Sequence, residues 1–189
     1  LRSSTNSGAT WATVVTSTSL NTGAIAVQST TNAVWFPLGN GLGTDAATNP
    51  KVTTNGGANW SEINFVGRVG GILKDGWSFS QFLNRHIVVA DKNVSTDYYA
   101  FNYGASADLA GTRGLWKSTD SGANMSRVNA MTSPAGIDFH AAAHMDVVSV
   151  PGNAGHLFGS QGSDAGPAPT SHPAWRTCDG GTTLTIISS

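Results

Sequence analysis

Apolar residues in this chain of 189 gather in short segments separated by turn-forming ones. I-A-V-Q-S (residues 25–29), A-V-W-F-P-L (33–38), H-I-V-V-A-D (86–91), Y-Y-A-F-N-Y (98–103), M-D-V-V-S-V (145–150) and H-L-F-G-S (156–160) have the β-branched and aromatic make-up of strands. Alternation of apolar and polar positions marks S-E-I-N-F-V (61–66) and S-R-V-N-A (126–130) as strands with two unlike faces. The shorter runs K-V (51–52), G-L-W-K (114–117) and A-W-R (174–176) complete a set of four strands per unit.

Between the last two strands of each unit lies an octet that recurs without gaps. The copies are S-T-N-S-G-A-T-W (4–11), T-T-N-G-G-A-N-W (53–60), S-T-D-S-G-A-N-M (118–125) and T-C-D-G-G-T-T-L (177–184). Each has a hydroxyl residue first, an amide or acid third (Asn6, Asn55, Asp120, Asp179), a glycine fifth (Gly8, Gly57, Gly122, Gly181) and a large apolar residue eighth (Trp11, Trp60, Met125, Leu184). Asn or Asp in a turn accepts hydrogen bonds from backbone N–H groups just ahead, glycine takes a conformation that a side chain forbids, and the apolar residue plugs the hairpin into a core.

The octet glycines are 49, 65 and 59 residues apart. Four-stranded units at such a repeat, each with a turn motif, predict an all-β chain built as a partial β-propeller of about three and a half antiparallel blades. Residues 1–15 read as the end of a blade, 16–66, 85–130 and 144–188 as whole blades, and 67–84 as an insertion. Propellers close with about four to eight blades, so the expectation is a fragment of a larger protein, or a chain whose remaining blades come from the same or another polypeptide.

Composition narrows the partners. Charged residues make up 11% of the chain, Glu62 is its single glutamate, and the formal net charge is -1. Four Lys and six Arg, scattered singly, build no positive field for phosphate backbones, so nucleic acid is not an expected partner. No apolar run approaches the roughly eighteen residues of a membrane span, and L-R-S-S-T-N-S-G does not resemble a secretory signal, which puts any export signal upstream and removed. Cys178 has no partner for an internal disulfide, and the triplets beginning at Asn59, Asn93 and Asn124 are glycan acceptor sequences.

The octets resemble Asp-boxes, the hairpin repeats of sialidases, sortilin-type receptors, photosystem assembly factors and family 74 glycoside hydrolases. The strands between them, G-A-I-A-V-Q-S-T-T-N-A-V-W-F-P-L, H-I-V-V-A-D-K-N-V-S-T-D-Y-Y-A-F and V-V-S-V-P-G-N-A-G-H-L-F-G-S, are similar in this order to successive blades of the second propeller of family 74 enzymes. That resemblance implies a secreted hydrolase of β-glucan, chiefly xyloglucan, which grips the polysaccharide between two seven-bladed propellers and cleaves it with inversion using one aspartate from each. On the family pattern both catalytic segments fall before Leu1, so no catalytic residue, metal or cofactor is assigned to this chain. Two octets depart from the pattern in carrying Asn, and two in ending on Met125 and Leu184.

Asp120 and Asp179 could be read as the acid pair of an inverting glycosidase, but Asn6 and Asn55 fill the same place, which marks all four as turn formers. Trp11 and Trp60 are expected as core plugs, and Trp116 and Trp175 as packing between blades. Trp35, Trp77, Phe79 and Tyr103 lie beside or within Gly-rich or long loops, where rings could cover the apolar face of a sugar; these are the candidate substrate-binding residues. Asp45, Asp75, Asp108 and Asp164 lie in similar loops, with no neighbour that marks an acid or base. Asp138, His140, His144 and Asp146 include a His pair four apart, but a strand is expected near His144 and zinc needs three or four convergent ligands, so surface histidines are the simpler reading. A non-catalytic binding or scaffold propeller remains the alternative, because one fold serves both classes. A sialidase is a weaker third reading, since Arg2, Arg68, Arg85, Arg113, Arg127 and Arg176 mostly flank the structural repeats and form no cluster for a carboxylate.

Overall fold

A computed structural model describes residues 2–13, 21–38, 50–67, 87–102, 114–130, 144–162 and 174–188, and among them the chain is entirely β. In chain order the strands are β1 (Arg2–Ser3), β2 (Ala12–Thr13), β3 (Asn21–Val27), β4 (Ala33–Leu38), β5 (Lys51–Thr53), β6 (Ser61–Glu62), β7 (Asn64–Val66) and β8 (Val88–Ala90). They continue with β9 (Tyr98–Asn102), β10 (Gly114–Ser118), β11 (Asn124–Asn129), β12 (His144–Ser149), β13 (Leu157–Gly162), β14 (Ala174–Thr177) and β15 (Thr185–Ser188). A half sheet β1-β2 precedes three larger ones, ordered β3-β4-β5-β6, β8-β9-β10-β11-β7 and β12-β13-β14-β15. The leading strands β3, β8 and β12 lie side by side, so the sheets stand face to face around a common edge, as propeller blades do.

One expected strand is divided. S-E-I-N-F-V supplies β6 to its own sheet and then β7 to the next, where Asn64, Phe65 and Val66 pair in parallel with Asn124, Met125 and Ser126. The reason is packing. Ile63 and Phe65 are both buried in the core between these sheets, and the crossing sets Phe65 edge-on to Phe36 (6.4 Å) and Trp116 (5.4 Å). Alternation survived, but its two apolar residues are shared between two sheets.

The middle sheet is apolar on both sides. Tyr98, Ala100, Trp116 and Met125 face the first sheet, while Tyr99, Phe101 and Leu115 face the third with Val147, Leu157 and Trp175. Burial on both faces explains why β9 reads as the unbroken run Y-Y-A-F. Trp116 and Trp175 do fill the gaps between sheets, and each lies opposite a small residue of the neighbouring strand, Ala100 or Gly159. A Cβ on Gly159 would overlap the Trp175 ring. The first sheet exchanges the two sizes, with the ring on β4 as Trp35 and Lys51 opposite it on β5.

All four octets close in the same way. The first hydroxyl accepts the N–H of the octet glycine at 2.8, 2.9, 2.9 and 3.0 Å, and donates to the third side chain at 3.0, 3.0, 2.8 and 2.7 Å. That third oxygen also accepts the N–H of the seventh residue, Thr10, Asn59, Asn124 or Thr183. The glycine φ values are 88, 90, 91 and 92°. A second position, missed from sequence, is also left-handed: Ser7, Gly56, Ser121 and Gly180 have φ of 55, 70, 62 and 70°. In the three larger sheets this residue donates its N–H to the first hairpin turn, as Gly56 to Thr31, Ser121 to Thr96 and Gly180 to Gly155, at 2.8, 2.9 and 3.0 Å.

Of the apolar eighth residues, Met125 is fully buried, Leu184 packs on the core and Trp60 meets Trp35 edge-on at 6.0 Å. Trp11 is the exception to the expected plugs, being 61% exposed, because among the described residues its sheet has only two strands and no core beneath the ring.

The octet glycines also touch the preceding sheet. A Cβ on Gly122 would stand 2.5 Å from Val34 Cγ1 and 3.1 Å from Val52 Cγ2, and one on Gly181 2.5 Å from Leu115 Cδ2. Gly122→Ala therefore combines left-handed strain with overpacking and is expected to cost about 2 to 5 kcal/mol. Gly67→Ala, also at positive φ but with open space around it, is expected to cost only about 1 to 2 kcal/mol. Urea unfolding of the two variants checks the difference, and equal losses would remove the packing role.

Candidate ligand-binding rim

Antiparallel order gives the stack two unlike rims. On one lie the first hairpin turns of the sheets and the octets. On the other lie the strand ends that flank residues 39–49, 68–86, 103–113, 131–143 and 163–173, the long connections of the chain.

The turn rim is tied together by hydrogen bonds from sheet to sheet. Gln28 Nε2 donates to the carbonyls of Asp91 (2.8 Å) and Val94 (3.1 Å). Asp91, fully buried, accepts the N–H groups of Asn93 (2.8 Å) and Val94 (3.3 Å) on one oxygen and that of Gly155 in the third sheet (2.8 Å) on the other. Asn93 adds a bond to the Val150 carbonyl and one from the Gly152 N–H. Asn32 joins the Thr53 and Ser121 carbonyls and accepts from the Tyr98 hydroxyl. These side chains are already occupied and offer little to a ligand.

Beneath that rim the sequence reading missed a buried charged group. Lys117 Nζ lies 2.8 Å from Asp97 and 5.3 Å from the centre of the Tyr99 ring. Burial works against the Lys117 cation, but the bond to Asp97 and the neighbouring Tyr99 outweigh this and hold its pKa above the ordinary value. Burial pushes the Tyr99 hydroxyl up as well. The only local signal was the turn D-K-N-V-S-T-D between two apolar runs, and it points to a turn, not to a pair across a sheet.

Asp120 and Asp179 are on the turn rim, away from the long connections, and each carboxylate is saturated by its own octet. Side-chain and backbone bonds from Thr183 hold Asp179 down to about 2. Burial raises Asp120, but bonds from Asn124 and Ser118 outweigh it and leave a lowered pKa. Neither can hold a proton to donate near neutral pH, which fits turn formers and not a general acid. The acceptor asparagines Asn59, Asn93 and Asn124 are all exposed, but Asn93 and Asn124 spend their side chains on structural bonds.

Among the candidate substrate-binding aromatics, Trp35 needs correction. It was expected to open onto a loop, yet it is 5% exposed in mid-strand, opposite Ile25 and Lys51, where its ring takes the place that Trp116 and Trp175 take in their sheets. Trp77, Phe79 and Tyr103 lie outside the described residues, as do Asp45, Asp75, Asp108, Asp164, Asp138 and His140. The strand ends bordering their segments all belong to the second rim. His144 begins β12, as expected of a strand there.

Comparison with protein-family models and with curated proteins gave no match. Among solved structures, the chain is similar to a GH74 enzyme of Niastella koreensis, with a TM-score of 0.54 and 19% identity over 87% of this chain and 22% of that one. It is likewise similar to the GH74 xyloglucanase of Xanthomonas campestris, with a TM-score of 0.52 and 15% identity over 87% of this chain and 23% of that one. The chain thus spans less than a quarter of the length of these structures. At such identity the likeness establishes the fold, a partial β-propeller.

The octet carboxylates fix a pH dependence. Because the folded pKa of Asp179, about 2, is below the unfolded value of 3.8, its contribution is complete above the unfolded value and is lost as pH falls through the folded one. Asp120 shifts in the same direction. Thermal melts are therefore expected to fall as pH drops from about 4 toward 2, and an Asp120→Asn, Asp179→Asn double variant to show a flatter decline. A slope unchanged in the double variant would mean that other groups carry it.

Proposed function

We propose that this chain forms part of the polysaccharide-binding cleft of a secreted glycoside hydrolase acting on β-glucan, xyloglucan above all, with the catalytic aspartates outside these 189 residues. In this reading the octets are Asp-boxes that hold the blades, and the second rim is the wall that meets the glycan. The observation that carries it is the division of labour between rims. One is consumed by hydrogen bonds between sheets, while every long connection, with Trp77, Phe79 and Tyr103 among them, springs from the other. Two solved structures of like fold are a family 74 enzyme and a xyloglucanase, which supports the choice of substrate class.

Aromatic rings would cover the axial C–H face of glucose units, and loop carboxylates such as Asp45 and Asp108 would bond hydroxyls. The remaining blades would close the propeller around them. A binding propeller without catalysis would use the same rim, retaining affinity for its ligand with no cleavage in the complete protein.

Titration of xyloglucan oligosaccharides by calorimetry tests the proposal. Trp77→Ala, Phe79→Ala and Tyr103→Ala are each expected to weaken binding roughly two- to tenfold, the worth of one aromatic contact. Trp35→Phe is expected to leave affinity unchanged. No measurable binding, or equal affinity in all three alanine variants, would overturn it.

A further inference from the structure

The octets share the bonds that close the turn, but they differ in one more. In three of them the second polar atom of the third side chain also bonds the seventh side chain. Asn6 Nδ2 donates to the Thr10 hydroxyl at 2.8 Å, Asp120 Oδ2 accepts from Asn124 Nδ2 at 2.6 Å, and Asp179 Oδ2 accepts from the Thr183 hydroxyl at 2.6 Å. In the second octet, Asn55 Nδ2 and the Asn59 side chain have no partner among the described residues. The residue types explain the gap. Asn59 stands where Asn124 does, and in the same orientation its Nδ2 would face another amide Nδ2 instead of a carboxylate oxygen, two donors with no acceptor between them.

Asn55 also precedes a glycine, Gly56, whereas Asn6 precedes Ser7. Before glycine the main-chain nitrogen reaches an asparagine's side-chain amide carbon most freely, because no Cβ hinders the approach. The carbonyl it would attack is already polarised. Asn55 Oδ1 accepts the Thr53 hydroxyl at 3.0 Å and the Asn59 N–H at 2.9 Å, two donors aimed at the oxygen on which charge gathers once Cγ is attacked. The leaving nitrogen is the unbonded Nδ2. Asn55 is exposed, as Asp120 and Asp179 are in sheets that have another sheet before them, so this exposure belongs to the octet itself. The Gly56 N–H is held by the Thr31 carbonyl at 2.8 Å, so reaction waits on the opening of that bond and is slow.

We propose that Asn55 is a self-modifying site, which converts without an enzyme to aspartate and so completes the bonding of its octet. The step needs only water. The Gly56 main-chain nitrogen gives its proton to hydroxide and attacks Asn55 Cγ; the new C–N bond closes a succinimide ring, while the Cγ–Nδ2 bond breaks and Nδ2 takes a proton from water to leave as ammonia. Water then opens the ring. Addition at Cγ restores the main chain and leaves an aspartate, whereas addition at the main-chain carbonyl carbon leaves isoaspartate, with an extra methylene in the backbone. Only the first product fits the fold. It sets a carboxylate oxygen opposite Asn59 Nδ2, as Asp120 does for Asn124, while isoaspartate would carry Gly56 away from Thr31.

The test is to hold the whole chain at mildly alkaline pH and to map its peptides by mass spectrometry over time. Asn55 is expected to convert ahead of Asn6, with aspartate exceeding isoaspartate. Gly56→Ser, which follows the first and third octets at this position, is expected to slow the conversion severalfold. Made directly, Asn55→Asp is expected to raise the melting temperature at neutral pH by about 2 to 4 °C, the worth of one charge-assisted bond in a chain of this size. In an Asn59→Ala background the same substitution is expected to give no rise. Conversion of Asn6 first, isoaspartate in excess, an equal rate in Gly56→Ser, or a melting temperature that does not rise or rises equally without Asn59 would overturn the proposal.

Discussion

Sheets stand face to face in this chain because each is apolar on the sides it shares, and the octet glycines Gly122 and Gly181 meet the preceding sheet with no room for a side chain. At Gly122 and Gly181 hydrogen atoms sit against Val34, Val52 and Leu115 where any side chain would collide. The same glycines need positive φ to complete the hairpin, so a local and a long-range demand converge on one residue. The hydroxyl and the amide or acid of the octet then hold the turn in place. Asn and Asp are interchangeable there, since both present an oxygen to the same N–H groups.

From that constraint the difference between the rims follows. A hairpin turn that must sit against its neighbour is short, and its polar groups are satisfied by other turns, as Asp91 and Asn93 are by the third sheet. Connections on the opposite rim can lengthen without disturbing these turn contacts. Division of this kind lets one scaffold carry different sites, which is why the octets alone say so little about what is bound.

Much of the fold was legible because its determinants are local. Within eight residues each octet contains the partners of the bonds that close its own turn, and the strands announce themselves by alternation. The second left-handed position was only half legible: Gly56 and Gly180 hint at it, but Ser7 and Ser121 do not. The division of S-E-I-N-F-V was hidden, since period-two alternation reads the same whether Ile63 and Phe65 serve one sheet or two. Trp35 misled for a similar reason. Its sequence neighbours suggest a loop mouth, and only the register with Ile25 and Lys51 shows that it replaces the tryptophan of the next strand.

By itself the sequence determined the repeat, the all-β architecture and the structural role of Asp120 and Asp179, because these depend on residues a few positions apart. Tertiary structure decided which aromatics are buried, where one strand leaves its sheet and how Lys117 finds Asp97. Those outcomes depend on which face of one sheet meets which face of another. Packing between sheets joins residues far apart in the chain, 89 positions in the case of Asn32 and Ser121, and no local pattern records that distance.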